Sequence, residues 1–294
     1  MTVAPAESAY PVELQRRVDD YLEGLSFEIG VGGDERLEEA MRYSLLAGGK
    51  RIRPVLALAT AEALGQDPDQ VLPLAAAIEM VHTYSLIHDD LPAMDDDELR
   101  RGQPTCHVAF GEDVAILAGD GLFAEALHLV LLKQEGEPAN VLAAAAELVA
   151  AAGVRGMVGG QYLDVAGAGP EELRKLHELK TGALIAASVG CVLSLAGVHR
   201  PATMPFRRFA AELGVVFQIV DDILDVTGDE AELGKPRGSD ERHGKATYVS
   251  VYGLQRAREL AAESHARSRA ALAEADAAVA RLEQIADHIL TRTA

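Results

Sequence analysis

Apolar residues in this chain return at intervals of three and four almost everywhere, as at Val12, Leu14, Val18, Tyr21 and Leu22, while alternating apolar and polar runs are hard to find. That period belongs to amphipathic helices and not to strands, so the expected fold is all-α. The punctuation agrees. Pro54 opens one helix and Gly65 closes it, Asp67 with Pro68 opens the next, and Pro170, Glu171 and Glu172 start another. Stretches at 74–77, 142–146 and 183–187 are apolar or Ala-rich on more than one face. Such helices belong in the middle of a bundle, where small side chains admit close neighbours or leave space between them. With 294 residues, 49% of them hydrophobic, and no Ser/Gly/Pro-rich linker, residues 1–294 read as a single domain. The expectation is a large helical bundle with a long central apolar cavity.

Charge narrows the partners. Lys and Arg number 27 against 46 Asp and Glu, a net charge of −19, which argues against a nucleic-acid partner. A phosphate ligand becomes reasonable only if divalent cations stand between it and the carboxylates. Residues 1–10 carry neither a basic cluster nor an apolar core of signal-peptide length. The apolar stretch 183–198 is shorter than the ~20 residues of a membrane helix and contains Ser188, Gly190 and Ser194, so no membrane span is expected. The two cysteines, Cys106 and Cys191, lack metal-ligand spacing and suit a reducing cytoplasm; Cys106 and His107 are expected in a loop after Pro104.

Two acidic clusters stand out. Asp89 and Asp90 end an apolar helical pattern, Pro92 breaks the helix, and the kinked turn can bring Asp95 back beside them. Asp221 and Asp225 lie four residues apart on one helical face, with Asp222 between them, after the apolar run 215–220. Carboxylates packed this closely repel one another and resist burial, and Mg²⁺ removes that cost when it bridges them to substrate phosphates. Neither cluster has the alternating acids, central Gly and terminal Glu of a calcium loop. Basic segments accompany both: Gly48-Gly49-Lys50-Arg51-Ile52-Arg53-Pro54 opens a helix, Arg100-Arg101-Gly102 follows the first cluster, and Gly234-Lys235 and Gly244-Lys245 follow the second.

In this order GGKRIRP, HTYSLIHDDLPAMDDDELRRG, GDGLF, GGQYLD, LKTGALI, FQIVDDILD and LGKPRGSDERHGKATY make the chain resemble the trans-polyprenyl diphosphate synthases, most of all the short bacterial farnesyl and geranylgeranyl diphosphate synthases. The resemblance runs from about Met41 to Tyr248. It implies the isoprenoid synthase type of bundle, with Asp89, Asp90, Asp95, Asp221, Asp222 and Asp225 holding Mg²⁺ on an allylic diphosphate. It further implies that Arg100, Lys180, Lys235 and Lys245 contact that diphosphate. Lys50, Arg53, His82 and Arg101, with the backbone of Gly49, would hold isopentenyl diphosphate. Thr181 and Gln218 would face the reacting carbons with Lys180 close by, Gln161 and Asp164 would support the site, and Asp96, Asp97 and Asp240 would be solvated.

The implied reaction is ionisation of dimethylallyl or geranyl diphosphate, attack by the isopentenyl double bond, and loss of a proton. Tyr84, five residues before Asp89, would floor the tail cavity about 7.5 Å along the helix axis, beside the small Ser85. An aromatic there implies farnesyl diphosphate as product; geranylgeranyl diphosphate is the alternative. A terpene cyclase would need aromatic walls, and the chain has no Trp and 4% aromatics. A non-catalytic synthase subunit would be expected to lose one acidic cluster. The resemblance also implies a homodimer.

Overall fold

The computed structural model describes residues 10–27, 35–228 and 245–292; Lys235 and Asp240 lie outside them. The three-and-four periodicity becomes helix along most of this length. In chain order these are α1 (Val12–Glu23), α2 (Arg36–Leu45), α3 (Ile52–Ala63), a 3-10 turn (Pro68–Val71), and α4 (Leu72–Asp89). Then follow α5 (Cys106–Phe110), α6 (Glu112–Lys133), α7 (Pro138–Ala152), α8 (Met157–Val165) and α9 (Leu173–His177). After them come α10 (Ala183–Leu195), α11 (Arg200–Thr227), α12 (Tyr248–Tyr252), α13 (Leu254–Leu272) and α14 (Ala280–Thr291). Among the described residues strand pairing is confined to Leu99–Arg100 against Gln103–Pro104, a short antiparallel hairpin after the first acidic cluster.

Burial follows composition. α3 and α10 are apolar around most of their circumference and sit inside, α3 between α4, α10 and α14, and α10 between α3, α7 and α11. α4 buries Leu74 to Val81 nearly without interruption and packs on α6, while α11 packs on α13. The stretch 142–146 proves to be less central than its composition implied: α7 buries Val141, Ala144, Ala145 and Leu148 but leaves Leu142 exposed. Cys106 and His107 lie in α5 and not in a loop, and Cys106 is buried.

Length and composition alone do not exclude membrane spans, contrary to the reading from 183–198. Pro68–Asp89, Glu112–Lys133, Pro138–Val165 and Leu173–Leu195 are each long and apolar enough to cross a bilayer. In this fold they pack against one another as bundle helices.

One irregularity positions the site. α9 runs into α10 through a single π turn, Glu178–Gly182, a device that widens a helix locally and re-aims its side chains. Two glycines let helices close on it. A Cβ on Gly160 of α8 would lie 2.2 Å from the Lys180 nitrogen, and one on Gly214 of α11 would lie 2.9 Å from the Gly182 Cα.

Candidate active site

α4 delivers Asp89 to the mouth of a cavity of about 800 Å³, and the turn at Pro92 folds back so that the Asp95 N–H donates to the Asp89 carbonyl at 2.9 Å. Asp221 and Asp225 of α11 reach the same cavity. Asp90 and Asp222 do not line it, although sequence grouped them with the metal ligands. Successive helical residues point about 100° apart, so a doublet cannot send both carboxylates one way. Asp90, buried, accepts from Arg100 Nε at 2.8 Å to each oxygen, and Asp222, also buried, accepts from Gln218 Nε2 and the Tyr248 N–H, both at 2.7 Å. Asp97, expected to be solvated, borders the cavity with Oδ2 3.5 Å from Arg100 Nη2.

Burial pushes the Asp89 carboxyl up to about 6, Lys180 offsetting only part of that, with Asp95 adding to it. A carboxyl weakened as an acid in this way is an anion that burial penalises and that nearby cations only partly compensate. Carboxylates from both walls, all oxygen donors, fit a hard divalent cation that completes its shell with phosphate oxygens. No three His, Cys, Asp or Glu among the described residues form a closed metal cage.

Cationic groups face these carboxylates. Lys180 Nζ, carried by the π turn, lies 2.5 Å from Asp164 Oδ2, and Lys245 Nζ lies 2.9 Å from both oxygens of Asp95 and 3.5 Å from Asp164 Oδ2. Burial works to raise the Asp164 carboxyl, but Lys180 and Lys245 hold it below the usual carboxylate range. Thr181 Oγ1 donates to Gln218 Oε1 at 2.8 Å, and since Gln218 Nε2 is bound to Asp222 the amide orientation is fixed. The second acid of the Asp221-Asp222 doublet thus orients Gln218.

Gly49, Lys50, Arg53, His82 and Arg101 meet elsewhere on the same cavity. Gly48 and Gly49 take φ of 85° and 115°, and a Cβ on Gly49 would sit 2.7 Å from the Arg101 guanidinium, which donates to the Gly48 carbonyl. Burial lowers Arg53 to about 10, still cationic at neutral pH, and drives His82 well below its ordinary value with Arg53 adding to the effect. His82 is therefore a neutral donor in a cationic site. Arg51, one of the three cations of that segment, is buried in a left-handed conformation with φ of 49°. It pairs with Glu79 at 2.8 Å and Asp19 at 2.9 Å and donates to the Leu45 carbonyl at 2.9 Å, so it anchors the turn on which Lys50 and Arg53 are carried.

Tyr84 stands along α4 from Asp89, 9% exposed, its ring edge-on to Phe123 at 5.1 Å and to His88 at 5.8 Å. Gly119 leaves the space that His88 fills, a Cβ there falling 2.2 Å from His88 Nε2. The GDGLF segment thus supplies both Gly119 and Phe123 to this aromatic cluster. Ser85 borders the cavity but turns its hydroxyl to the His82 carbonyl at 2.8 Å. Gln161 also lines the cavity, with neither amide atom hydrogen-bonded among the described residues. Sequence reasoning missed Glu79, Phe217 and Arg292. Arg292, beyond any motif, donates to Asp221 Oδ1 at 2.9 Å and caps the Phe217 ring at 4.2 Å.

Known proteins share this arrangement of sequence and fold. Residues 34–289 match the family model described as polyprenyl synthetase. A farnesyl diphosphate synthase of Geobacillus stearothermophilus is 47% identical over 266 residues, spanning 88% of this chain and 90% of that one. A chloroplastic geranylgeranyl pyrophosphate synthase of Capsicum annuum is 45% identical over 263 residues, 87% of this chain and 71% of the relative. Among solved structures, a Helicobacter pylori geranyltransferase complexed with magnesium and isoprenyl diphosphate superposes with a TM-score of 0.84 at 33% identity, covering 99% and 98% of the two chains.

Proposed function

Because this chain belongs to the polyprenyl synthetase family, we propose that it condenses isopentenyl diphosphate with dimethylallyl and geranyl diphosphates and releases farnesyl diphosphate. The observation that carries the reading is one cavity lined by carboxylates from α4, its following turn and α11, by a group of basic residues, and by Tyr84, which Phe123 backs.

Asp89, Asp95, Asp221 and Asp225 would hold Mg²⁺. When bound, Mg²⁺ neutralises the diphosphate that departs from the allylic carbon. Lys180 and Lys245 would turn from Asp164 and Asp95 towards the same leaving group, a charge-assisted contact that strengthens as the carbon–oxygen bond breaks. Lys235, in the same reading, would join them. Lys50, Arg53, His82 and Arg101 would orient isopentenyl diphosphate so that its double bond meets the allylic cation. Thr181 and Gln218, fixed in orientation, would present neutral oxygens to that cation. Asp90 would act through Arg100 and Asp222 through Gln218. The proton lost from the new chain would leave with pyrophosphate. Enclosure keeps water from quenching the cation to an alcohol.

Tyr84, backed by Phe123 and His88, would stop the tail at fifteen carbons. The family span of residues 34–289 supports one catalytic domain. We read the enzyme as cytoplasmic and homodimeric. Leu131 and Leu132 of α6 and Leu142 of α7 are exposed, an apolar face that a second copy would cover. The test is incubation with isopentenyl diphosphate, each allylic diphosphate and Mg²⁺, followed by chromatography of the dephosphorylated alcohols. Farnesol as main product is expected. A main twenty-carbon alcohol would move the reading to a geranylgeranyl diphosphate synthase, and absence of any elongated alcohol would overturn prenyl transfer altogether.

A further inference from the structure

Arg292 caps the C-terminus of α14, a helix seated on α3, α11 and α13 and tied to the start of the described chain by the Tyr10 ring, 4.7 Å from His288. From there its side chain reaches the cavity, only 7% exposed, and meets an Asp221 that is 56% exposed. The same guanidinium donates to the Phe217 carbonyl at 3.2 Å, while its Nε is buried with no hydrogen-bond partner among the described residues. Arg53 lies over the same Phe217 ring at 5.5 Å, and its Nε too is buried without such a partner. Two arginines thus share one aromatic platform and both line the cavity. Arg292 works against the charge of Arg53, while Glu79 and Asp221 support it, so the pair favours an anion nearby.

We propose that Arg292 is an internal counter-ion of Asp221 that a divalent cation displaces, and that the displaced guanidinium then serves the neighbouring isopentenyl diphosphate. The inference rests on the prenyl-transfer reading above. A doubly charged cation outcompetes a singly charged one for the same carboxylate. Once Asp221 is taken, Arg292 keeps its Phe217 platform, and with Arg53 it forms a site of two guanidinium groups in which Glu79, already paired with Arg51, is the nearby carboxylate. Metal binding at one diphosphate thereby raises affinity at the other, and linkage makes the coupling reciprocal. Arg292 is a positioning residue in the first role and a binding residue in the second.

The experiment titrates Mn²⁺ into the full chain without diphosphate, read by electron paramagnetic resonance of free Mn²⁺, for wild type, Arg292→Gln, Arg292→Met and Arg292→Lys. An exposed ion pair contributes little, so the two neutral variants should bind Mn²⁺ about two- to five-fold more tightly than wild type. Arg292→Lys should stay near wild type. In turnover at saturating Mg²⁺ the neutral variants should raise KM for isopentenyl diphosphate several-fold and leave KM for geranyl diphosphate unchanged. A role confined to holding α14 in place would instead weaken Mn²⁺ binding and raise both KM values. Unchanged or weaker Mn²⁺ binding in a folded neutral variant overturns the counter-ion. If the wild type yields no elongated product, the proposed function fails while the Mn²⁺ titration still decides the Asp221 contact.

Discussion

Asp221→Ala removes a carboxylate from the cavity mouth, as does Asp89→Ala, so in either variant kcat should fall about a hundred- to a thousand-fold at saturating Mg²⁺, the usual cost of losing one preorganised charge-stabilising group. Near-normal kcat in steady-state assays would refute the assignment. Asp90→Ala should differ in kind. It strands the Arg100 guanidinium in a mostly buried pair and should lower unfolding stability by about 3 kcal/mol in denaturant titrations. Lys50→Ala and Arg53→Ala should raise KM for isopentenyl diphosphate about ten- to a hundred-fold and that for the allylic substrate far less. His177 offers a pH test. Burial holds its imidazole near 4 against an ordinary 6.5, so the folded chain keeps it neutral while the unfolded chain takes up a proton. The resulting stability is whole above pH 6.5 and is lost as pH falls towards 4. Lowering pH to 5.5 should cost wild type about 1.4 kcal/mol more than His177→Gln, measured by denaturant unfolding of both.

At the level of elements, the π turn that carries Lys180 and Thr181 depends on two helices crossing it at backbone contact. Gly160→Ala inserts a methyl 2.2 Å from the Lys180 nitrogen, so α8 must move off the turn. Overpacking of this kind costs about 1–3 kcal/mol, and the displacement should lower kcat more than it raises either KM. A melting curve and a kinetic profile check the two halves. None of this was legible in LKTGALI, which reads as ordinary helix because a π turn changes the hydrogen-bond offset and not the residue types. The helical class, the opening of the 3-10 turn that leads into α4 at Asp67 and Pro68, and the return of Asp95 to Asp89 were legible, since Pro and apolar spacing act locally. Which acid of each doublet faces the cavity was not, because helix rotation is set by packing partners far away in sequence. Arg292 escaped for the same reason: its meaning comes from α11, which it meets across 71 positions of chain.

For the molecule as a whole, the exposed leucines of α6 and α7 predict association. Leu132→Lys should shift sedimentation from a two-copy to a one-copy species at micromolar concentration, and an unchanged profile would place the contact elsewhere. Tyr84→Ala should lengthen the product towards twenty carbons under identical substrate ratios, as chromatography of the alcohols would show, and an unchanged distribution would refute the floor. The aromatic floor brings together α4, which also ends in the first acidic cluster, and α6, which borders the cavity with none of its residues. Phe123 can therefore change size without displacing a group that lines the cavity, whereas Gly119 is held small by the His88 ring, so of the two only Phe123 is free to act as a tuning screw on the proposed floor.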